Sequence, residues 1–105
     1  MHTVIETAAF ARSAKDVGMS SAEMTAAIDL VSGDPTAGDL IVGSGGCRKV
    51  RVAGRGKGKS GGYRVITFFV SEYGVFLLWV LSKGRDANLT KSQVNTLARL
   101  TMTLA

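Results

Sequence analysis

The central segment of the chain reads CRKVRVAGRGKGKSGGYRVITFFV from residue 47 to residue 70. Runs rich in Val, Ile and Phe stand on either side of a Gly, Lys and Arg linker, which is typical of two β-strands joined by a loop. We predict one strand over residues 47–53 and a longer one over residues 62–70. In the first strand Lys49 and Arg51 alternate with valines, so they project from the face opposite the apolar one.

Basic residues are concentrated in this segment. It holds seven of the thirteen Lys and Arg residues of the chain, and residues 40–71 contain no Asp or Glu. One alternative is a solvated charged hairpin, in which each exposed cation contributes little. Because like charges repel, however, their concentration favours a rigid basic surface for a polyanion, above all RNA. Its predicted members are Arg48, Lys49, Arg51, Arg55, Lys57, Lys59 and Arg64.

The loop also matches two nucleotide-binding motifs. Residues 53–60, AGRGKGKS, fit a relaxed Walker A motif, and residues 56–61, GKGKSG, fit G-x-G-x-x-G. Both motifs require a helix directly after the loop, because the phosphate lies on the N-terminus of that helix. The sequence that follows is β-branched and aromatic and predicts a strand, so we reject a nucleotide-binding loop.

Length and composition indicate one small domain over residues 1–105. The chain has 105 residues, of which 46% are hydrophobic, and this is sufficient for a single core. Its formal net charge is +5. Cys47 is the only cysteine, so a reducing cytoplasm is the simplest setting. The N-terminal residues do not resemble a signal peptide, and the longest apolar run, 75–81, is too short to span a membrane.

Outside the central segment, apolar residues at helical spacing predict two helices in the first third of the chain. Thr7 is the expected N-cap of the first helix. Ser20 or Ser21 is the expected N-cap of the second, with Glu23 three positions after Ser20 as in a capping box, and this helix should end at Gly33. Residues 36–46 are predicted to form a loop. Its apolar anchor is expected to be Leu40, Ile41 and Val42.

A hairpin turn over residues 71–74 leads to a last strand over 75–83, and Thr90 is the expected cap of a closing helix. The predicted order is β-α-α-β-β-β-α. The fold class is therefore α+β, a small twisted, mainly antiparallel sheet with helices packed against one face.

Three further side chains are candidates for a site or for the core. Tyr63, beside the loop, is a candidate for stacking on RNA bases. Cys47 is predicted to be an apolar filler, because no histidine partner is available in mid-chain. Trp79 lies within the apolar run VFLLWVL, which favours a place in the core over stacking on a base. No metal site is predicted, since the single histidine has no second ligand nearby.

The residue types do not decide whether the protein is an enzyme. RNA is cleaved by its own 2′-hydroxyl when an enzyme positions the chain, stabilises the phosphorane charge and moves protons. Arg and Lys can stabilise the charge, and a lysine can move a proton. Composition alone does not separate a cleaving enzyme from a binding module.

Residues 43–66 combine a glycine pair, an RK-x-R strand, a GKGK loop and GGYRVI; further on come FFVSEYG, LLWVLSK and LTKSQ. In these motifs nearly the whole chain resembles HigB-type toxins of the RelE superfamily. The resemblance implies a RelE-like fold and a metal-independent, cofactor-free mRNA interferase of a bacterial type II toxin–antitoxin module. Such enzymes cut mRNA in the ribosomal A site.

The resemblance also implies partners and contacts. A cognate helix-turn-helix antitoxin would neutralise the toxin, and operator DNA would be bound only through the complex of the two; no membrane is involved. By match of motif, Lys49 and Arg51 would face the RNA from the strand, and Lys57 and Lys59 would hold phosphate from the loop.

Two more cations complete the implied active site. Arg64 would stabilise the transition-state phosphate, and Lys83 would close the site from the last strand. The chain departs from the family at Leu81, where a tyrosine is common, and at Gly84, where asparagine is usual. These departures keep a second hypothesis open, a catalytically weak RNA- or ribosome-binding module that acts with the antitoxin as an operon regulator.

Overall fold

The computed structural model describes residues 2–53, 62–82 and 89–104. Within these ranges the chain forms three helices and five strands, which confirms the α+β prediction. No helix in the described ranges is long and apolar enough to cross a membrane. In chain order the elements are β1 (Val4–Glu6), α1 (Ala8–Asp16), α2 (Ser21–Gly33), β2 (Asp39–Leu40), β3 (Arg48–Val52), β4 (Tyr63–Val70), β5 (Gly74–Ser82) and α3 (Lys91–Leu104).

The strands form one sheet in the order β1-β5-β4-β3-β2. Strand β1 runs parallel to β5, and the other three pairs are antiparallel. The central position of β4 agrees with its apolar residues on both faces, since a central strand is buried above and below.

Helices cover both faces of the sheet. On one face, which we term the α1/α2 face, Phe10 and Ala27 pack against Val65 and its neighbours. On the other, the α3 face, Leu97 packs against Ile66 and its neighbours. The prediction that the helices cover one face is therefore wrong. Because β4 and β5 are apolar on both sides, each side has to be shielded from water.

The predicted N-caps are confirmed. Thr7 Oγ1 accepts a hydrogen bond from a backbone N–H of α1 at 3.1 Å. The Ser20 N–H donates to Glu23 Oε1 at 2.8 Å, and the Glu23 N–H donates to Ser20 Oγ at 3.1 Å. Thr90 and Gln93 form the same reciprocal pair ahead of α3. These bonds satisfy N–H groups that have no partner inside the helix.

The segment between α2 and β3 differs from its predicted form. It contributes the short edge strand β2, and Leu40 and Val42 are 60% and 93% exposed. Only Ile41 of the predicted anchor packs against the core. The segment is held instead by Ser44, whose Oγ donates to the Ile41 carbonyl at 2.7 Å and accepts from the Cys47 N–H at 2.9 Å.

A β-bulge in β5 changes which side chains face α3. Ile66 of β4 pairs with Trp79, but Thr67 pairs with Leu77, so Leu78 is an extra residue. Because strand side chains alternate, one extra residue places both Leu78 and Trp79 on the α3 face. Leu78 is buried, whereas Trp79 is 37% exposed. The prediction that Trp79 lies in the core is therefore wrong.

Candidate nucleic-acid interface

Three cations project from the α3 face of β3 and β4. Arg51 lies directly opposite Arg64 in the strand register, and Lys49 lies opposite Ile66. Ile66 belongs to the core beneath α3. Since directly paired residues and every second residue along a strand share a face, all three cations lie on the α3 face. We term Lys49, Arg51 and Arg64 the cationic cluster.

The pairing of Arg51 with Arg64 is unfavourable in the absence of an anion. Like charges directly opposite each other on neighbouring strands repel. Arg51 is exposed and Arg64 is half-buried, so water screens the second guanidinium less completely than the first. A bound anion between the two would turn this repulsion into attraction.

Arg64 carries the most unusual polar atom of the cluster. Its Nη1 is buried and has no hydrogen-bond partner among the described residues. A buried donor without a partner costs about 1–3 kcal/mol, and more when it is charged. Guanidinium N–H groups pair with phosphate oxygens in a two-pronged geometry. Arg64 therefore keeps an unsatisfied guanidinium donor within the cluster, at a cost to the stability of the fold.

Arg48 does not join the cluster. It pairs with Thr67 and lies two residues from Val50, which is part of the core on the α1/α2 face. Its Nη1 donates to the Gly38 carbonyl at 3.1 Å. Strand alternation directs Arg48 to the face opposite Lys49 and Arg51, so it lies apart from the cluster, and its contact with RNA stays a prediction.

Tyr63 is not available for base stacking. Its side chain is 3% exposed and packs in the core on the α1/α2 face. The phenol O–H donates to Glu23 Oε1 at 3.2 Å. Burial raises the pKa of Tyr63, and the Glu23 hydrogen bond and charge raise it further. The stacking prediction is wrong, because neither face of the ring is open to a base.

Cys47 has the structural role that the sequence predicts. It is fully buried in the core beneath α3, and its Sγ donates to the Ser44 carbonyl at 3.8 Å. Burial raises the pKa of the thiol, an effect that the Ser44 hydrogen bond offsets in part. The reactive thiolate is therefore disfavoured.

Four predicted site residues fall outside the described ranges, and their roles stay predictions. They are Arg55, Lys57, Lys59 and Lys83. Of the five that are described, three form the cluster, and Arg48 and Tyr63 lie on the other face.

A groove on the α3 face was missed by sequence reasoning. It has a volume of about 350 Å³ and lies between β5 and α3. Its lining includes Ile66, the residue paired with Lys49, and Trp79, the residue on the other side of Ile66. The apolar run around Trp79 concealed this feature, since only the bulge in β5 brings the indole to the groove.

Leu81 borders the cluster on its other side. It pairs with Arg64, is 4% exposed and packs in the core beneath α3. A leucine neither transfers a proton nor offers an aromatic face. The position next to Arg64 is therefore apolar in this chain.

The sheet flanked by helices, with like charges gathered on its central strands, defines a small α+β protein with a cationic surface. A family model described as the RelE toxin of the RelE / RelB toxin-antitoxin system matches residues 2–105. The chain therefore belongs to the RelE toxin family and is a toxin of a toxin–antitoxin system. Members of this family are endoribonucleases and pair with an antitoxin. The resemblance to the RelE superfamily is thereby confirmed, and the HigB subtype stays a prediction.

Proposed function

We propose that the protein is a ribosome-dependent mRNA endoribonuclease that cleaves at a phosphate held by the cationic cluster. Family membership supports the general activity. The observation that carries the mechanism is the pairing of Arg64 with Arg51 across the two strands, together with an Nη1 atom of Arg64 that has no partner among the described residues. These two guanidinium groups provide the positive charge that a scissile phosphate requires.

In the proposed reaction the ribose 2′-oxygen forms a bond to the adjacent phosphorus, and the bond from phosphorus to the 5′-oxygen breaks. The 2′-hydroxyl gives up its proton, and the departing 5′-oxygen receives one. The products are a 2′,3′-cyclic phosphate and a 5′-hydroxyl. The phosphorane that forms on the way carries extra negative charge, and hydrogen bonds from Arg64 stabilise it more strongly than they stabilise the substrate.

The other cations have positioning roles in this proposal. Arg51 and Lys49 hold the RNA backbone on either side of the scissile phosphate, because they occupy neighbouring positions on the same face. Lys57 and Lys59 add phosphate contacts. We assign proton transfer to a lysine. Lys83 is the candidate because it follows Leu81, the residue paired with Arg64, by two positions in the sequence, and alternate residues of a strand share a face.

The proposal extends to partners and setting. We infer that the antitoxin is a helix-turn-helix protein, that the pair represses its own operon, and that the toxin works in the cytoplasm. The resemblance to HigB-type sequences supports these points. A neighbouring gene for a small helix-turn-helix protein would agree with them.

The test of the mechanism is Arg64→Ala. Expression of the unaltered protein from a tightly controlled promoter should arrest growth and create new mRNA 5′ ends. Loss of one donor to a developing oxyanion costs about 100- to 1,000-fold in rate, so the variant should produce few of these ends. Arg12→Ala is the matched control, since it removes one exposed cation from α1.

Two results would count against the proposal. If the unaltered protein creates no new 5′ ends, the nuclease assignment fails. If Arg64→Ala cuts as well as Arg12→Ala, the cluster is not the site of catalysis.

A second candidate function is a catalytically weak module that binds RNA or the ribosome. It is favoured by Leu81, an apolar side chain directly opposite Arg64. On this hypothesis the unaltered protein sediments with ribosomes but cleaves nothing, and Arg64→Ala weakens the association. Cleavage mapping and ribosome sedimentation on the same samples separate the two functions.

A further inference from the structure

We propose that the groove between β5 and α3 is a nucleobase-binding subsite, in which the indole of Trp79 stacks on a base of the bound RNA. The inference rests on the proposed function and adds to it a contact with a base rather than with phosphate. It assigns a role to an aromatic side chain that the sequence places in the core.

The strand register places the indole next to the cationic cluster. Trp79 lies opposite Ile66, and Ile66 lies opposite Lys49, so these three form one row across the α3 face. The pair Arg51 and Arg64 belongs to the next row along the strands. Rows on one face are roughly 7 Å apart and neighbouring strands roughly 5 Å apart, which are distances on the scale of one nucleotide.

Exposure singles out Trp79 among the aromatic residues of this face. It is 37% exposed, whereas Phe68 is 8% exposed and packs inside the core beneath α3. Proteins that hold single-stranded nucleic acid combine a positive surface for the backbone with aromatic rings on which bases stack. Leu81 offers no such ring, so Trp79 is the stacking residue that the described part of the α3 face supplies.

The groove has the size and lining for a base. Its volume of about 350 Å³ is within the range of small-molecule sites. Leu97 and Leu100 form apolar walls, and Ser92 and Gln93 add polar groups at the start of α3. Gln93 Oε1 accepts from the Thr90 N–H at 2.8 Å, which leaves the Gln93 amide N–H groups to donate to a base edge.

Charge decides between RNA and a protein segment as the occupant. The described residues that line the groove include no Asp, Glu, Lys or Arg, and the charged neighbours of its Ile66 floor, Lys49 and Arg64, are cations. The carboxylate of Asp39 lies one strand further away, opposite Lys49. A base fills the apolar groove while its own phosphate reaches those cations. One nucleotide therefore satisfies both surfaces at once.

The single tryptophan of the chain makes the test direct, because all indole fluorescence comes from Trp79. The unaltered protein is titrated with a fluorescently labelled 2′-O-methyl RNA oligonucleotide, which cannot be cleaved because it lacks the attacking hydroxyl. Anisotropy of the label reports binding, and tryptophan emission reports stacking. We expect saturable quenching that follows binding. The same oligonucleotide with abasic positions should bind without quenching the indole.

Trp79→Leu tests the energetic contribution of the stack. Since stacking on an aromatic ring is lost, affinity for the base-containing oligonucleotide should fall by about 5- to 100-fold. Affinity for the abasic oligonucleotide should stay within about twofold, because phosphate contacts are kept. Tyr73→Leu is the matched control, since it removes an aromatic ring that is 61% exposed in the turn before β5, and neither affinity should change.

Each contrary result has a distinct meaning. The subsite is overturned if RNA binds without quenching the indole emission, or if the unaltered protein and Trp79→Leu bind RNA with equal affinity. The proposed function stands in both cases. Equal loss of base-containing and abasic binding in Trp79→Leu also overturns it, since the effect is then on the cationic cluster. If no RNA binds the protein at all, the cationic surface itself is refuted. If Trp79→Leu loses the co-expressed antitoxin but keeps RNA affinity, the groove is a protein-docking surface.

Discussion

The phenol of Tyr63, the first residue of β4, links this strand to the start of α2. Its partner Glu23 is buried, and the same Oε1 atom accepts from Tyr63 and from the Ser20 N–H. Local sequence was sufficient to predict the capping pair of Ser20 and Glu23, because the two residues are three positions apart. The contact with Tyr63 spans forty positions, and no local pattern indicates it.

Tyr63→Phe should lower the free energy of unfolding by about 1.5–3 kcal/mol, the range for a hydrogen bond to a charged group. Urea denaturation at pH 7 measures this loss. Tyr73→Phe, at an exposed position, should have no measurable effect.

The stability difference between the unaltered protein and Tyr63→Phe should depend on pH. The pKa of Tyr63 is raised above 10.0 in the folded protein, so the folded state holds the phenol proton more tightly than the unfolded state. This contribution is complete below about pH 10, the pKa of an unperturbed tyrosine, and is lost as pH rises above it. The stability gap between the unaltered protein and Tyr63→Phe should therefore keep its full size up to about pH 10 and narrow as the pH rises further. A constant gap would contradict the burial of the phenol.

At the scale of the elements, α3 is held by a close approach of the loop that precedes β3. A Cβ atom at Gly45 would collide with Thr101 Oγ1, which donates to the Ser44 carbonyl at 3.2 Å. Gly45 also has a φ of +83°, a conformation that residues with a side chain rarely adopt. The helix that forms one wall of the groove therefore depends on a glycine in a neighbouring loop.

Gly45→Ala should destabilise the protein by at least about 1–3 kcal/mol, because it combines a steric clash with backbone strain. Gly33→Ala provides the matched control at the end of α2, where an added Cβ meets nothing within 4 Å. That change should be neutral or stabilising by up to about 1 kcal/mol. Thermal unfolding of the two variants measures the contrast, and equal melting temperatures would refute the packing of this loop on α3.

At the scale of the whole molecule, the distribution of charge matters more than its sum. The chain carries a net charge of +5, and the sheet directs Lys49, Arg51 and Arg64 to one face. Arg48, although adjacent to Lys49 in sequence, projects from the other face. A polyanion that approaches the α3 face therefore meets several cations at once, and its counterions are released as it binds.

Salt dependence tests this arrangement. For single-stranded RNA the slope of log affinity against log salt concentration is about −0.7 for each phosphate neutralised. Arg51→Ala should therefore make the slope shallower by about 0.7, and Arg12→Ala should leave it unchanged. Anisotropy titrations between about 50 and 200 mM salt cover the range in which this difference is large. An unchanged slope for Arg51→Ala would show that Arg51 does not contact phosphate.

The sequence by itself determined the types of the elements other than β2, the three N-caps and the segment that carries the cations. These features depend on periodicity and on side chain to backbone bonds between residues three positions apart. Only the tertiary structure decided which cations share a face, that Tyr63 is buried and that Trp79 is exposed. Those outcomes follow from strand register and from one extra residue in β5, and register is set by pairing between distant segments. In a sheet a shift of one residue moves a side chain to the opposite face.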